Sequence, residues 1–407
     1  MARVIFLNRF FYPDHSATSR MVSTLAFALA EPGREVHVIT SRQLYDSAHA
    51  GLPAGEVTRG VHIHRVGTTK FGRTKLLGRL FDYLSFFFSA WRCALSVARR
   101  GDIIVAMTDP PMISLVGALT AKQRGVHLVN WVQDIYPEIA IKFGVPFLIG
   151  PVRQLLFYLR NISLRTAKAN VVLGELPAKL ILSHGLPADR VNIIHNWSDD
   201  EEIFPVDNAE NTLRKEWGLS GNFVVGYSGN LGRTHEFQTV LAVSERLKHN
   251  HHIVFLFIGG GHHLDELARQ VERRGLDQTY RFVPYQDDAA LKYSLGVPDV
   301  HWISLRPEFE GLIVPSKFYG IAAAARPMIA VTAKDGELAR LIEQHQCGLV
   351  VEPGNVDALE KAITLLSADD ERRTAMGTRA RGMLDAHFTR RQAFELWRNL
   401  LTKVESE

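Results

Sequence analysis

Lys317 stands in the run EGLIVPSKFYGIAAAARP, residues 310–327, where an acidic turn leads through an apolar stretch into an alanine-rich helix. Gly311 would let the backbone approach a ligand, Pro315 removes one N–H and fixes φ, and Ser316 has the side chain of a helix cap. A lysine in the first turn of that helix adds a full charge where the helix end already favours an anion, which suits a diphosphate. The plainer reading is an exposed lysine whose stem lies along the surface. A second stretch, VVGYSGNLGRTHEF at 224–237, sends an apolar strand into a turn with Gly226, Gly229, Asn230 and Gly232, then into an apparent helix from about His235. Its backbone N–H groups and Arg233 could hold phosphate oxygens; equally, the glycines could only permit positive φ in a tight turn.

Two further stretches offer polar groups at strand ends. NWVQDIYPE puts Asp134 after an apolar strand, where a carboxylate could hydrogen-bond a substrate hydroxyl or assist its proton. Capping of the next segment is the alternative for Asp134, and Glu138 reads as a solvated surface acid. In NRFFYPDHSATSRMVSTLAFALA, Ser16, Thr18 and Ser19 could supply donors at a helix start or merely cap it, with His15 and Arg20 as further candidates for an anionic ligand.

Between residues 69 and 100, Lys70, Arg73, Lys75 and Arg79 precede or interleave with Leu76, Leu77, Leu80, Phe81, Tyr83, Leu84, Phe86, Phe87, Phe88 and Trp91. Cations beside apolar side chains suit anionic headgroups above acyl chains, while a core helix with a basic approach loop is the other reading. Arg79, Asp82 and Arg92 interrupt any run long enough to span a bilayer. The 17 histidines show no zinc-binding spacing, HNHH at 249–252 reads as a polar turn, and no Asp-x-Asp metal motif occurs.

These candidates need a scaffold that brings strand ends together. Short β-type runs (RVIFLN, EVHVIT, VHIHRV, DIIVAM, HLVNWV, ANVVL) alternate with helical patterns such as 18–30 and 112–124, which implies parallel strands covered by helices on both faces. A second series follows NWSDDEEIFPVD: FVVGYSG, HIVFLFIGGG, YRFVPY, DVHWIS, PMIAV and GLVV. With 407 residues, two doubly wound α/β domains joined near 197–210 fit, and ligands should bind beyond the carboxyl ends of the strands. A composition of 46% apolar and 22% charged residues excludes a disordered chain, and a net charge of +4 without basic blocks carries no nucleic-acid signature. Cys93 and Cys347 alone make no disulfide framework, and the five-residue apolar run at the N-terminus is too short for a signal core, so a cytoplasmic protein is expected.

WVQDIYPE, GYSGNLGRTHEF, GLIVPSKFYGIAAA and DGELARLIEQHQCGLVVEPGN together resemble the retaining nucleotide-sugar glycosyltransferases of the GT-B fold, in the large family four that builds bacterial polysaccharides and glycolipids. They are most similar to O-antigen, capsule and colanic-acid transferases, including those moving N-acetyl-L-fucosamine. The resemblance covers nearly the whole chain and implies two facing Rossmann-like domains with a cleft between them. Residues 1–200 would bind the acceptor, 201–384 the nucleotide sugar, and 385–407 would form a helix returning to the first domain. The implied reaction moves a sugar, with retention, from a UDP-sugar, N-acetylated in kind, to an undecaprenyl-diphosphate-linked saccharide at the inner face of the cytoplasmic membrane, without metal or cofactor. Asp134, Arg233, Lys317 and Glu310 would be catalytic. Gly229, Asn230, Gly232, Arg233, Val283, Gly311, Leu312, Ile313, Ser316 and Lys317 would bind the donor, and Ser16, Thr18, Ser19 and Arg20 the acceptor.

The chain departs from that family's pattern at several positions. The second of two glutamates with seven residues between them falls on Gly320, Glu310 lies two residues before the first, and the phosphate-gripping Arg and Lys fall on Asn230 and His235. Gln133 replaces a histidine, and the glycine pair of the first loop is missing. Arg233 and Lys317 are the cations left to hold a diphosphate. Two alternatives stay open: a UDP-sugar epimerase, and a non-catalytic nucleotide-sugar-binding subunit of a polysaccharide assembly complex.

Overall fold

The computed structural model describes residues 1–30, 33–47, 50–72, 76–146 and 148–406; Arg73 and Lys75 of the basic stretch lie outside them. The chain divides into two compact units, one comprising Met1–His195 with Ala393–Glu407, the other Asn196–Gln392.

Among the described residues, the first unit holds eight strands: β1 (Val4–Leu7), β2 (Val36–Ser41), β3 (Gly55–Thr58), β4 (Val61–Val66), β5 (Ile103–Ala106), β6 (His127–Val132), β7 (Ala169–Val172) and β8 (Val191–Ile193). They lie in the order β3-β4-β2-β1-β5-β6-β7-β8, parallel except for the β3–β4 hairpin. The central strands β1, β2, β5 and β7 are buried at every position, as strands covered on both faces must be; β1 and β5 are wholly apolar, while β2 and β7 also bury His37, Thr40, Ser41 and Asn170. The hairpin turns through Arg59 and Gly60, both with positive φ, the geometry that matches the twist of two antiparallel strands. The chain's last segment joins this unit through Trp397, whose ring centroid lies 4.7 Å from that of Trp131 on β6.

The second unit holds β9 (Phe223–Asn230), β10 (Ile253–Gly260), β11 (Tyr280–Val283), β12 (Val300–Ser304), β13 (Met328–Val331) and β14 (Gly348–Val351). All are parallel, in the order β11-β10-β9-β12-β13-β14. Their side chains build a core around Phe255, Phe257, Tyr227, Trp302 and Ile329. In each sheet the winding direction reverses at one place, between β1 and β5 in the first unit and between β9 and β12 in the second. Loops leaving the carboxyl ends of two such strands diverge to opposite faces, so a crevice opens there.

Candidate active site

In the second unit, Lys317 comes to the β9/β12 reversal. It opens the seven-residue helix Lys317–Ala323, and its side chain runs inward rather than along the surface. Nζ lies 3.1 Å from His235 Nε2 and 5.1 Å from the centroid of the Tyr227 ring. The stem passes Gly229 so closely that a Cβ there would sit 3.1 Å from Lys317 Cε, and Gly229 itself has φ +119°, a backbone state side chains rarely adopt. His235 Nδ1 is 2.6 Å from the Ser304 carbonyl at the end of β12. A carbonyl only accepts, so Nδ1 carries the proton and Nε2 turns its lone pair to the lysine. Burial and then the Lys317 charge push His235 down to about 3, which keeps the ring neutral. Burial alone pushes Lys317 down to about 7. Among the described residues no carboxylate pairs with it.

The surroundings are cationic. Arg233 is exposed, with Nε 3.3 Å from His262 Nε2 in the loop after β10. Burial lowers His263, and the charges of His262, Arg306 and Arg233 lower it further. The structure therefore sets Arg233 beside the His262–His263 pair, while His235 is the residue that meets Lys317. Neither His235 nor the pair was singled out from the sequence as a site residue; the glycine run GGGHH directly after a strand was the available signal.

Several expected donor contacts are otherwise engaged. β9 continues through Asn230, and the next helix begins at Gln238 rather than near His235, so Gly226 and Gly229 lie within the strand. Gly226 is small because Pro298 leaves a Cβ no room, whereas a Cβ at Gly232 would make only ordinary contact with Asn230 and His235. The backbone oxygen of Asn230 accepts from Tyr227 Oη at 2.8 Å. Ser316 makes no side-chain cap bond and is exposed. Gly311 does take a left-handed φ of 72°, but the Leu312 and Ile313 N–H groups donate to the Phe309 carbonyl, closing a short turn instead of facing a ligand. Glu310 is bound at both carboxylate oxygens, by the Thr332 hydroxyl and by the Glu337 N–H at 3.2 Å, so it anchors the start of the helix Glu337–His345. Val283 packs on the small cluster of Leu219, Val224 and Ile258 at the far edge of the sheet.

In the first unit, the β1/β5 reversal gathers Arg9, Asp109 and, from the next strand, Asp134. The Arg9 N–H donates to the Asp109 carbonyl at 2.6 Å. Its guanidinium donates to Gln43 Oε1 at 3.0 Å and lies 5.3 Å from the ring centroids of both Phe10 and Tyr83. Burial, and then repulsion by Asp109, push Asp134 up to about 7. A carboxyl raised by burial and by a neighbouring carboxylate at a strand-end crevice can take up or give a proton near neutrality. Asp134 does not cap the next helix, Glu138–Lys142, which has Pro137 at its cap and no side-chain cap bond. Glu138 is no solvated acid either, being 2.9 Å from Arg160 and mostly buried. Asp109 was missed from the sequence although it ends the strand run DIIVAMTD.

The first loop works mainly for itself. Ser16 bonds Asp14 Oδ1 through both its N–H and its hydroxyl, and the Ser19 hydroxyl, fully buried, donates to the Asp14 carbonyl at 3.0 Å. These two serines thus hold the start of the helix Ala17–Ala30, the capping alternative, and Ser19 cannot reach a ligand. Thr18 and Arg20 are half-buried on that first turn.

Residues 16–197 match the glycosyl transferase 4-like domain, and residues 209–383 match glycosyl transferases group 1. WbjE of Pseudomonas aeruginosa, by name a probable glycosyltransferase, is 29% identical over 66% of this chain and 66% of its own length. WcaI of Escherichia coli K12, named for colanic acid biosynthesis, is 24% identical over 86% of this chain and 88% of its own. The crystal structure of Anabaena HepE in complex with UDP and glucose superposes with a TM-score of 0.75 at 15% identity, covering 99% of this chain and 100% of that one. The two Rossmann-like domains with parallel sheets are those of the GT-B fold.

Proposed function

From a chain whose two halves both match glycosyltransferase domains, we propose a glycosyltransferase of bacterial surface-polysaccharide assembly that moves a sugar from a UDP-sugar, N-acetylated in kind, to a lipid-linked saccharide with retention. The observation that carries the reading is the inward Lys317 at the β9/β12 reversal, set against a neutral His235 and uncompensated by any carboxylate among the described residues. A buried cation needs an anion to offset its desolvation, and a nucleotide diphosphate supplies one. HepE, similar in fold, was solved with UDP.

In this reading the second domain binds the donor. The glycosidic C–O bond breaks, the acceptor hydroxyl oxygen bonds the anomeric carbon on the same face, and its proton passes to the departing diphosphate oxygen. Lys317 and Arg233 stabilise the charge that develops on that oxygen, where fixed electrostatics lower a barrier most. Asp134, in the first domain, orients the acceptor hydroxyl by a hydrogen bond. The acceptor's lipid end places the protein at the inner face of the cytoplasmic membrane; no described helix is long and apolar enough to cross it. Incubation with UDP-sugars, with and without an undecaprenyl-diphosphate-linked saccharide, tests this: acceptor-dependent UDP release is expected. Acceptor-free sugar isomerisation, or UDP binding that never leads to turnover, would sink it.

A further inference from the structure

Three helices of the first unit lie side by side against its sheet: Leu76–Val97, Ser114–Arg124 and Gly150–Thr166, with the middle one touching both others. Trp91 Nε1 ties the first to the second through Gln123 Oε1 at 3.0 Å. One side of the first helix is core, with Phe86, Ala90 and Ala94 fully buried. Its opposite side leaves Leu77, Phe81, Leu84 and Phe88 more than half exposed, at the 3.6-residue spacing of a continuous stripe. The third helix does the same with Leu155 and Tyr158, and Ile149 before it is 71% exposed. Apolar side chains gathered on neighbouring helices exceed the scattered exposure expected of a free surface.

The charges on these helices have one sign. Arg92, Lys122, Arg124, Arg153 and Arg165 are exposed, and none of the exposed charges is a carboxylate. The one acid in the three helices, Asp82, is 2% exposed. It accepts the N–H groups of Phe71 and Gly72 at 3.0 and 3.1 Å and the Thr69 hydroxyl at 2.7 Å, which fixes Lys70 and Phe71, both exposed, beside the start of the stripe. Arg92 lies 5.8 Å from the Phe88 ring centroid and Arg153 5.6 Å from that of Phe157, so cations and aromatics share the same face. By contrast, the helix Leu264–Arg273 of the second unit carries Asp265, Glu266 and Glu272 among its arginines.

We infer that these three helices form one docking face for an anionic phospholipid surface, on which the aromatic and aliphatic side chains enter the headgroup layer and the arginines and lysines meet lipid phosphates. This rests on the membrane-surface part of the proposed function and extends it to the helix Gly150–Thr166. The charge pattern selects the partner: a second copy of the chain docked face to face would set cation against cation, whereas anionic lipid satisfies both the apolar stripe and its basic rim.

Sedimentation of the full chain with vesicles tests it. The protein is expected to pellet with phosphatidylcholine vesicles containing phosphatidylglycerol, weakly with pure phosphatidylcholine, and less as salt rises. Leu155→Asp with Tyr158→Asp, and separately Leu80→Asp with Phe81→Asp, should each lower the partition coefficient about tenfold or more. Arg153→Glu with Arg165→Glu should lower it by a similar factor on anionic vesicles only. Thermal melting and UDP titration of each variant report whether the fold is intact. Wild-type protein left in the supernatant with anionic vesicles would overturn the inference, as would full binding by the folded Leu155/Tyr158 variant. A dimer in analytical ultracentrifugation that these substitutions dissociate, without vesicle binding, would overturn it too. UDP titration reads the donor site separately, so these failures leave that reading standing.

Discussion

The two reversal points of this chain share a topology and differ in sign. At β9/β12 the strand ends collect Lys317, His235 and the Arg233–His262 contact, whereas at β1/β5 and the adjoining β6 they collect Asp109, Asp134 and an Arg9 that is already engaged. Burial acts on both in the same way, disfavouring charge, and therefore moves the two titrating groups towards each other: Lys317 falls to about 7 and Asp134 rises to about 7. One scaffold thus gathers a cationic cluster at one reversal and a carboxyl pair at the other, which is why the fold by itself specifies neither chemistry.

The contrast breaks first at Lys317. Lys317→Ala should cut acceptor-dependent UDP release by ~10²–10³-fold in kcat/KM, the scale of losing one preorganised charge partner, and should weaken UDP binding by calorimetry. A variant that keeps both properties removes the cationic half of the comparison. Next, Asp134→Asn keeps the shape of the side chain and should lower kcat by ~10²-fold while leaving UDP affinity unchanged. A matching loss of UDP affinity would mean that the two regions do not divide the work as proposed.

The pH dependence sharpens the comparison further. Lys317 is an ammonium below about pH 7, so UDP affinity should be highest there and fall roughly tenfold per pH unit above it until the pKa of the bound state is reached. Asp134 ionises above about pH 7, so kcat with saturating donor should rise through that point; Asp109→Asn removes a repelling charge and should shift this limb to lower pH. Gly229→Ala, which forces a side chain into φ +119° against the Lys317 stem, should cost ~1–3 kcal/mol in chemical denaturation. Smallest of all, Ser16→Ala should cost ~1 kcal/mol of stability and leave the acceptor KM untouched, because its hydroxyl serves Asp14.

The fold was largely legible. Every strand of the second sheet falls on one of the β-type runs, although β11 and β14 are only partly buried and β9, β11 and β12 carry polar residues. β3 and β8 were not read as strands: each is short and half-exposed at an edge of the first sheet, so their side chains carry little burial signal. At the site, Lys317 and Asp134 were legible because each follows an apolar run by a few residues. Glu310, Ser16 and Ser19 looked like ligand groups because their types suit polar contacts, and only the observed hydrogen bonds showed that Thr332, the Glu337 N–H and Asp14 already take them.

By itself the sequence determined the alternation of buried strands and amphipathic helices, the pair of α/β domains, and which cations and carboxylates stood at strand ends. Tertiary structure decided which of these meet. His235 lies 82 residues from Lys317 along the chain and becomes its neighbour because β9 and β12 pair side by side, although two other strands separate them in sequence. Strand identity follows from local side-chain burial, which is written residue by residue, whereas strand order follows from how the whole sheet winds, and the charges at its ends are set by the neighbours and the desolvation that winding imposes.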